Sequence, residues 1–462
     1  MLERNKQTIC AISTPHGLGG ISVIRVSGPQ AVHITRKFSP QFSKKADKIE
    51  SHRLYFSDFN DLDQNKIDEV VISYFADGRS FTGEEVVEIS CHGSPFITQQ
   101  ILDLLIQGGA RIADRGEFTY RAFMNGKMDL VQAESVLSLI ESQNKSAAKL
   151  ALRQLDGVVS EKFNALISDL IWCLAHIEAS IDFIEQGIEV VDPKILIQKL
   201  RYIETHLLQI ISTYRSGRLI KDGLRVALVG EPNVGKSSLL NLLLQDEKAI
   251  VTPVAGTTRD VIEGDTLFDD MKYRFVDTAG LRETSDQIEM IGINRSKKEA
   301  EKADLICFVI DVSANDYMSS VSALQRMAVS APIIFLLNKA DKIEASLAQS
   351  RLKAVEAVGQ NAFLTSAADT QSRSGVLKFI RSQIGELNYL NEATIASSRQ
   401  LEQSQYSFEM ISKSITELEN NTGAEFIAMY LKEALISLQK ILGQVYDDQI
   451  MDRVFKEFCL GK

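Results

Sequence analysis

At 462 residues the chain is too long for one ordinary hydrophobic core, so two to four domains are expected. Its 45% hydrophobic and 24% charged residues are those of a globular protein, and a formal net charge of -10 excludes tight autonomous nucleic-acid binding, which draws on clustered Lys and Arg. No run of about 18 uncharged apolar residues occurs, "MLERNKQTIC" has no apolar leader, and five scattered cysteines, never paired as Cys-x-x-Cys, point to a reducing, cytoplasmic setting rather than a disulfide or zinc framework.

Residues 1–120 alternate strand-like runs ("TICAIST", "ISVIRVSG", "DEVVISYF", "EEVVEISCHG") with helical stretches such as "PFITQQILDLLIQ", an α+β pattern. Strand signals then vanish over 121–220, where Leu130, Ala133, Leu137 and Ile140 recur at helical spacing. At "LRVALVGEPNVGKSSLLNLLL" the pattern switches to buried strand, glycine-rich loop and helix. Four further apolar strands follow at "YRFVDTAG", "DLICFVIDV", "APIIFLLNKAD" and "AFLTSA", the signature of a parallel sheet with crossover helices. Residues 386–462 are helical again. The expectation is therefore a multidomain chain in which an all-α domain (121–220 and 386–462) is interrupted by an α/β domain at 221–385, which is tolerated because domain termini often lie close together.

"GEPNVGKS" (Gly230 to Ser237) matches the phosphate loop G-x-x-x-x-G-K-[ST] in its required place between strand and helix. The backbone N–H groups of Asn233 through Ser238 turn toward phosphates, Lys236 bridges the β- and γ-oxygens, and the Ser237 hydroxyl is an Mg²⁺ ligand. Asp277 in "DTAG" ends a buried strand as a Walker-B aspartate does, with Thr278, Ala279 and Gly280 beside the γ-phosphate. Asn338, Lys339 and Asp341 in "NKAD" select guanine, because a carboxylate pairs with the N1–H and 2-amino group that adenine lacks; Ser366, Ala367 and Ala368 belong to the loop facing guanine O6. The order of these motifs predicts a Ras-like P-loop GTPase.

After "DTAG" comes Leu281 instead of the glutamine that orients water in Ras-like proteins. "VTPVAGTTRD" offers Thr252, Pro253, Val254, Ala255, Gly256, Thr257 and Thr258 as a switch, with Thr258 toward Mg²⁺. A monovalent cation there, with Asn233, could replace an arginine finger; a plain turn-forming role for Asn233 is the alternative.

Together GEPNVGKS, GTTRD, DTAGLRE, NKAD, "FTGEEVVEISCHG", "RGEFTYRAFMNGKMDLVQAE" and the terminal "CLGK" resemble the MnmE (TrmE) family of tRNA-modifying GTPases over essentially the whole length. The resemblance implies an N-terminal domain that binds 5-formyltetrahydrofolate or a related folate, with Arg25, Glu88, Lys127 and Lys462 at the folate-contacting positions. It implies potassium at Asn233, Thr252, Val254 and Thr257, a homodimer, and Glu289 in "SDQIEMIG" orienting the attacking water. It further implies a FAD-bearing partner, MnmG (GidA), with which the family adds an aminomethyl or carboxymethylaminomethyl group at C5 of the tRNA wobble uridine. Cys459 then stands near the folate as acid/base or nucleophile, whereas without the resemblance it reads as a packed cysteine of a last helix. Gly461 and Lys462 exclude a prenyl anchor. Ser94, Arg115 and Gln400 depart from the family's glycine, proline and histidine. A GTPase switch for ribosome assembly and a folate-dependent one-carbon enzyme are the competing readings.

Overall fold

The computed structural model describes residues 7–44, 49–183, 192–245, 262–277, 302–324, 331–359, 361–385, 393–420, 423–445, 451, 454–459 and 461. It divides into two compact units. One comprises 1–140, 151–211 and 398–462, and the other comprises 141–150 and 212–397, so a second unit is inserted within the first.

The N-terminal sheet contains β1 (Ile9–Ile12), β2 (Ile21–Ser27), β3 (Arg53–Asn60), β4 (Lys66–Phe75), β5 (Val86–His92) and β6 (Arg111–Ile112), in the order β3-β4-β5-β2-β1-β6. All pairings are antiparallel except β1 with β6. Alternation puts Ile24, Val26, Ile72 and Ile89 into a core shared with Ile101 and Leu105 of helix Pro95–Gln107. Arg25 and Glu88 are register partners on the opposite face. β3 escaped the sequence reading because the charges of "RLYFSDFN" interrupt its apolar alternation.

In the same unit, helix Ala424–Leu442 packs along Ser398–Glu419 and against Val158–Phe183. Ile427, Leu431, Leu438 and Ile441 form its buried stripe. Glu134 Oε1 and Oε2 accept from Arg399 and Gln400, while Arg399 also donates to the Lys440 and Ile441 carbonyls at the end of that helix. Gln400 thus supplies an N–H donor that does not titrate.

The inserted unit holds β7 (Leu224–Val229), β8 (Ile262–Phe268), β9 (Met271–Asp277), β10 (Leu305–Asp311), β11 (Ile333–Asn338) and β12 (Ala362–Leu364), ordered β12-β11-β10-β7-β9-β8. Five strands run parallel and β8 adds an antiparallel edge. Sequence reading missed β8 because "IEGDTLF" carries glycine and acids, residues poor in β propensity. Its turn to β9 is Asp269 and Asp270, both at positive φ (50° and 57°), in place of the usual Asn-Gly. The Asp270 carboxylate accepts from the backbone N–H groups of Lys145 and Ser146, the first residues of helix Lys145–Leu155. Together these units make an α+β N-terminal domain, a helical domain and an inserted P-loop G domain.

Candidate functional site

The parallel strands β7, β10 and β11 end at one edge of the inserted sheet, where ligand sites of such sheets form. Between β7 and helix Lys236–Leu244 the chain turns through Gly230 (φ 155°), Asn233 (φ 63°) and Gly235 (φ 95°). A Cβ on Gly235 would stand 2.4 Å from Asn338 Nδ2, so the loop seats directly on the base-reading motif. Asn233 itself takes the left-handed turn conformation that asparagine tolerates.

Lys236 is buried and donates to the Gly230 and Glu231 carbonyls at 2.8 and 2.6 Å. Burial pulls its ammonium below the ordinary lysine value, against the Asp277 and Glu231 carboxylates. The Ser237 hydroxyl donates to Asp277 Oδ2 at 3.0 Å, and Asp277 is 1% exposed. A hydroxyl and a carboxylate converging in this way are the hard oxygen donors that Mg²⁺ takes, and Lys236 offers the donors that phosphate oxygens take. The residues present therefore fit Mg²⁺ and a nucleoside triphosphate.

Asn338 Nδ2 donates to the Val234 carbonyl at 2.9 Å and its Oδ1 accepts from Ala367 N–H at 3.0 Å. Ser366 Oγ donates to Asp341 Oδ1 at 2.6 Å and accepts from Ala368 N–H, so the "TSA" loop holds the carboxylate assigned to guanine. Thr252, Pro253, Val254, Ala255, Gly256, Thr257, Thr258, Thr278, Ala279, Gly280 and Glu289 lie outside the described residues, as does Lys462.

In the N-terminal unit, Arg25 donates to Glu88 Oε1 through Nε and Nη2 at 2.9 and 2.8 Å. The guanidinium lies 5.4 Å from the Phe81 ring centre and 5.5 Å from that of Phe118. Lys127 Nζ donates to the Gly78 carbonyl, and its stem would touch a Cβ on Gly83, so it lies on the same 78–83 loop that carries Phe81. Beneath that loop, buried Arg121 joins Glu84 and Glu117, and Glu117 also accepts from Arg111. Burial works to raise the Glu117 carboxyl, but the bonds from Arg111, the Asp114 N–H and Arg121 outweigh it and hold the group below its usual range.

The C-terminal tail closes onto this domain. Phe455 and Phe458 pack with Leu130, Ala133 and Met451, and a Cβ on Gly116 would strike the Phe455 carbonyl at 2.5 Å. Ser13 Oγ donates to the Gly461 carbonyl at 3.2 Å, and Gly461 (φ 91°) leaves a Cβ only 2.2 Å from the Ile12 carbonyl. Only glycine fits both the backbone conformation and the approach. Cys10, Cys91, Cys173 and Cys307 are buried, the first three with thiols pushed up to about 12, 11 and 12, whereas Cys459 is exposed. The reading of Cys459 as a packed core cysteine does not hold.

The family model described as the MnmE helical domain matches residues 130–459, and the model for the GTP-binding protein TrmE N-terminus matches 8–127. A tRNA modification GTPase MnmE from Bdellovibrio bacteriovorus is 50% identical over 479 residues, covering 100% of this chain and 98% of that protein. The chain belongs to the MnmE family of tRNA modification GTPases. Its MnmE relative in Flavobacterium johnsoniae is 37% identical over 99% of this chain and 100% of its own length. Among solved structures, Aquifex aeolicus Era bound to GDP.AlF4- matches 40% of this chain and 66% of its own at 24% identity and a TM-score of 0.28. The FeoB G-domain of Methanococcus jannaschii matches 35% of this chain and 96% of its own at 28% identity and a TM-score of 0.25. As a member of this family the chain is a GTPase, and among its described residues no helix is long and apolar enough to cross a membrane.

Proposed function

We propose that the protein couples GTP hydrolysis to modification of the C5 position of the wobble uridine in tRNA, acting with a FAD-bearing MnmG-type partner in the cytoplasm. The folate, 5-formyltetrahydrofolate or a close relative, supplies the one-carbon unit. Arg25, Glu88 and Lys127 hold it, with Lys462 closing the site from the tail. The Arg25 bonds both fall on Glu88 Oε1, which leaves Oε2 to accept from the N–H edge of a pterin, while the cationic side chains suit the anionic folate tail. Potassium at Asn233, Thr252, Val254 and Thr257 stabilises transition-state charge, Glu289 orients the water, and two copies pair as a homodimer. Boundaries near 120, 220 and 385 separate the folate-binding, helical and GTPase domains.

The observation that carries this reading is the docking of the tail: Gly461 is seated against Ile12 and Ser13 at the end of β1, with exposed Cys459 two residues before it. Nucleoside mass spectrometry of bulk tRNA tests the proposal, using a deletion strain complemented with wild type or with Cys459→Ser. Restoration by wild type alone is expected. Unmodified wobble uridine with both proteins, each soluble and active on GTP, would sink it. For the folate itself, Glu88→Gln is expected to weaken 5-formyltetrahydrofolate binding about tenfold by titration calorimetry.

A further inference from the structure

The nucleotide site contains a carboxylate that none of its motifs includes. Asp311 is the last residue of β10, and its register partner across the parallel ladder is Asn338, which opens "NKAD". Val312 N–H donates to the Asn338 carbonyl at 2.9 Å, so the ladder continues past the end of the strand. Strand pairing therefore delivers Asp311 beside the next residue of the motif, Lys339.

Lys339 Nζ donates to Asp311 Oδ2 at 2.7 Å and to the Asn233 carbonyl of the phosphate loop, also at 2.7 Å. The other carboxylate oxygen, Oδ1, accepts from Ser313 N–H at 3.0 Å and Ser313 Oγ at 2.5 Å. With both oxygens engaged, the carboxylate has one orientation. Each side chain of the ion pair is little more than a fifth exposed. Burial works to raise the Asp311 carboxyl, yet the Lys339 and Ser313 bonds outweigh it and keep it ionised.

The backbone of Lys339 makes this anchoring consequential. Its φ is 61°, a left-handed conformation that a residue with a Cβ holds only where its surroundings fix it. The residue stands between Asn338, which is bonded to the phosphate loop at Val234, and Asp341, which is bonded to Ser366. A Cβ on Gly235 would lie 3.9 Å from Lys339 Cε, so the stem runs along the phosphate loop.

We propose that Asp311 is a positioning residue for the guanine nucleotide: by holding the Lys339 ammonium against the Asn233 carbonyl, it locks the base-reading motif to the phosphate loop. It touches neither base nor phosphate in this scheme. Its charge and its orientation by Ser313 are both required, because an undirected carboxylate would leave Lys339 free to follow solvent.

The test is a double-mutant cycle on the full chain, read as the Kd for a fluorescent GDP analogue. Asp311→Asn is expected to weaken binding about tenfold, the loss being partial because the pair is partly exposed. In a Lys339→Ala background the same substitution is expected to change Kd by less than about twofold, since a carboxylate that acts through Lys339 has nothing left to position. In GTP turnover the loss should fall on KM more than on kcat, which a general loss of folded protein would not produce. Ser313→Ala, which keeps the charge and removes only a hydroxyl, is expected to weaken binding about threefold by the same route, and carries the cycle if Asp311→Asn does not fold. An unchanged Kd in Asp311→Asn, or in Ser313→Ala where that carries the cycle, would overturn the proposal. So would a loss that persists undiminished without the Lys339 amine.

Discussion

The nucleotide site and the proposed folate site of this chain are built by opposite strategies. In the inserted unit the nucleotide site is assembled from short contiguous motifs, each at the end of a parallel strand, and several of its bonds tie a side chain to nearby backbone: Lys236 to the Gly230 carbonyl, Asn338 to the Val234 carbonyl, Ala367 N–H to Asn338. The N-terminal site is assembled from distant pieces, Arg25 with Glu88 across two strands and Ser13 with Gly461 across nearly the full length of the chain. A phosphate demands a concave array of N–H groups, which one loop can supply. Enclosing a larger organic ligand takes several segments, so closure falls to tertiary structure. The contrast implies that the first site should fail through local geometry and the second through loss of docking.

The strongest way to break the comparison is at its most local point. Gly235→Ala adds a Cβ at positive φ and 2.4 Å from Asn338 Nδ2, so GTP affinity is expected to fall about a hundredfold in calorimetry, with the N-terminal unit still folded. If docking governs the other site, Phe458→Ala should cost that unit about 3–5 kcal/mol in urea unfolding while GDP affinity stays within about twofold of wild type. Gly461→Val, which meets the Ile12 carbonyl, is expected to free the tail to carboxypeptidase without that global cost.

The charge network under the 78–83 loop sharpens the contrast through pH. Because the folded-state value of Glu117 lies below its ordinary 4.5, its stabilisation is present above the unfolded-state value and disappears as pH falls through the folded one. Glu117→Gln should therefore cost about 2 kcal/mol at neutral pH and flatten the acid limb of the stability curve. The smallest effect belongs to Asp270→Ala, which removes the cap on helix Lys145–Leu155. About 1 kcal/mol is expected from thermal unfolding, offset in part by the strain released at the turn.

The phosphate loop, the Walker-B aspartate and the guanine motif were legible as strings because each is contiguous and its neighbours are apolar strands. Asp311 was not, although it ends one of those strands: a carboxylate closing "LICFVID" has no local signature, and only the β10–β11 register sets it next to Lys339. Likewise β8 and β3 were lost to charged and glycine-bearing sequence, and both sit beyond the central strands, where pairing with a neighbour compensates for weak propensity. Arg25, Glu88 and Lys127 read individually as surface charges; only the family resemblance marked them out, and only the strand register puts Arg25 against Glu88.

Sequence by itself determined the strand-loop-helix punctuation of the inserted domain, its guanine specificity and the helical character of what surrounds it, because periodicity and glycine placement act over a few residues. Tertiary structure alone decided that the tail returns to Ile12 and Ser13, that Cys459 is exposed while four other thiols are buried, and that Asp311 anchors Lys339. Those outcomes depend on which distant segments meet, and burial and charge pairing act between residues that no local pattern connects.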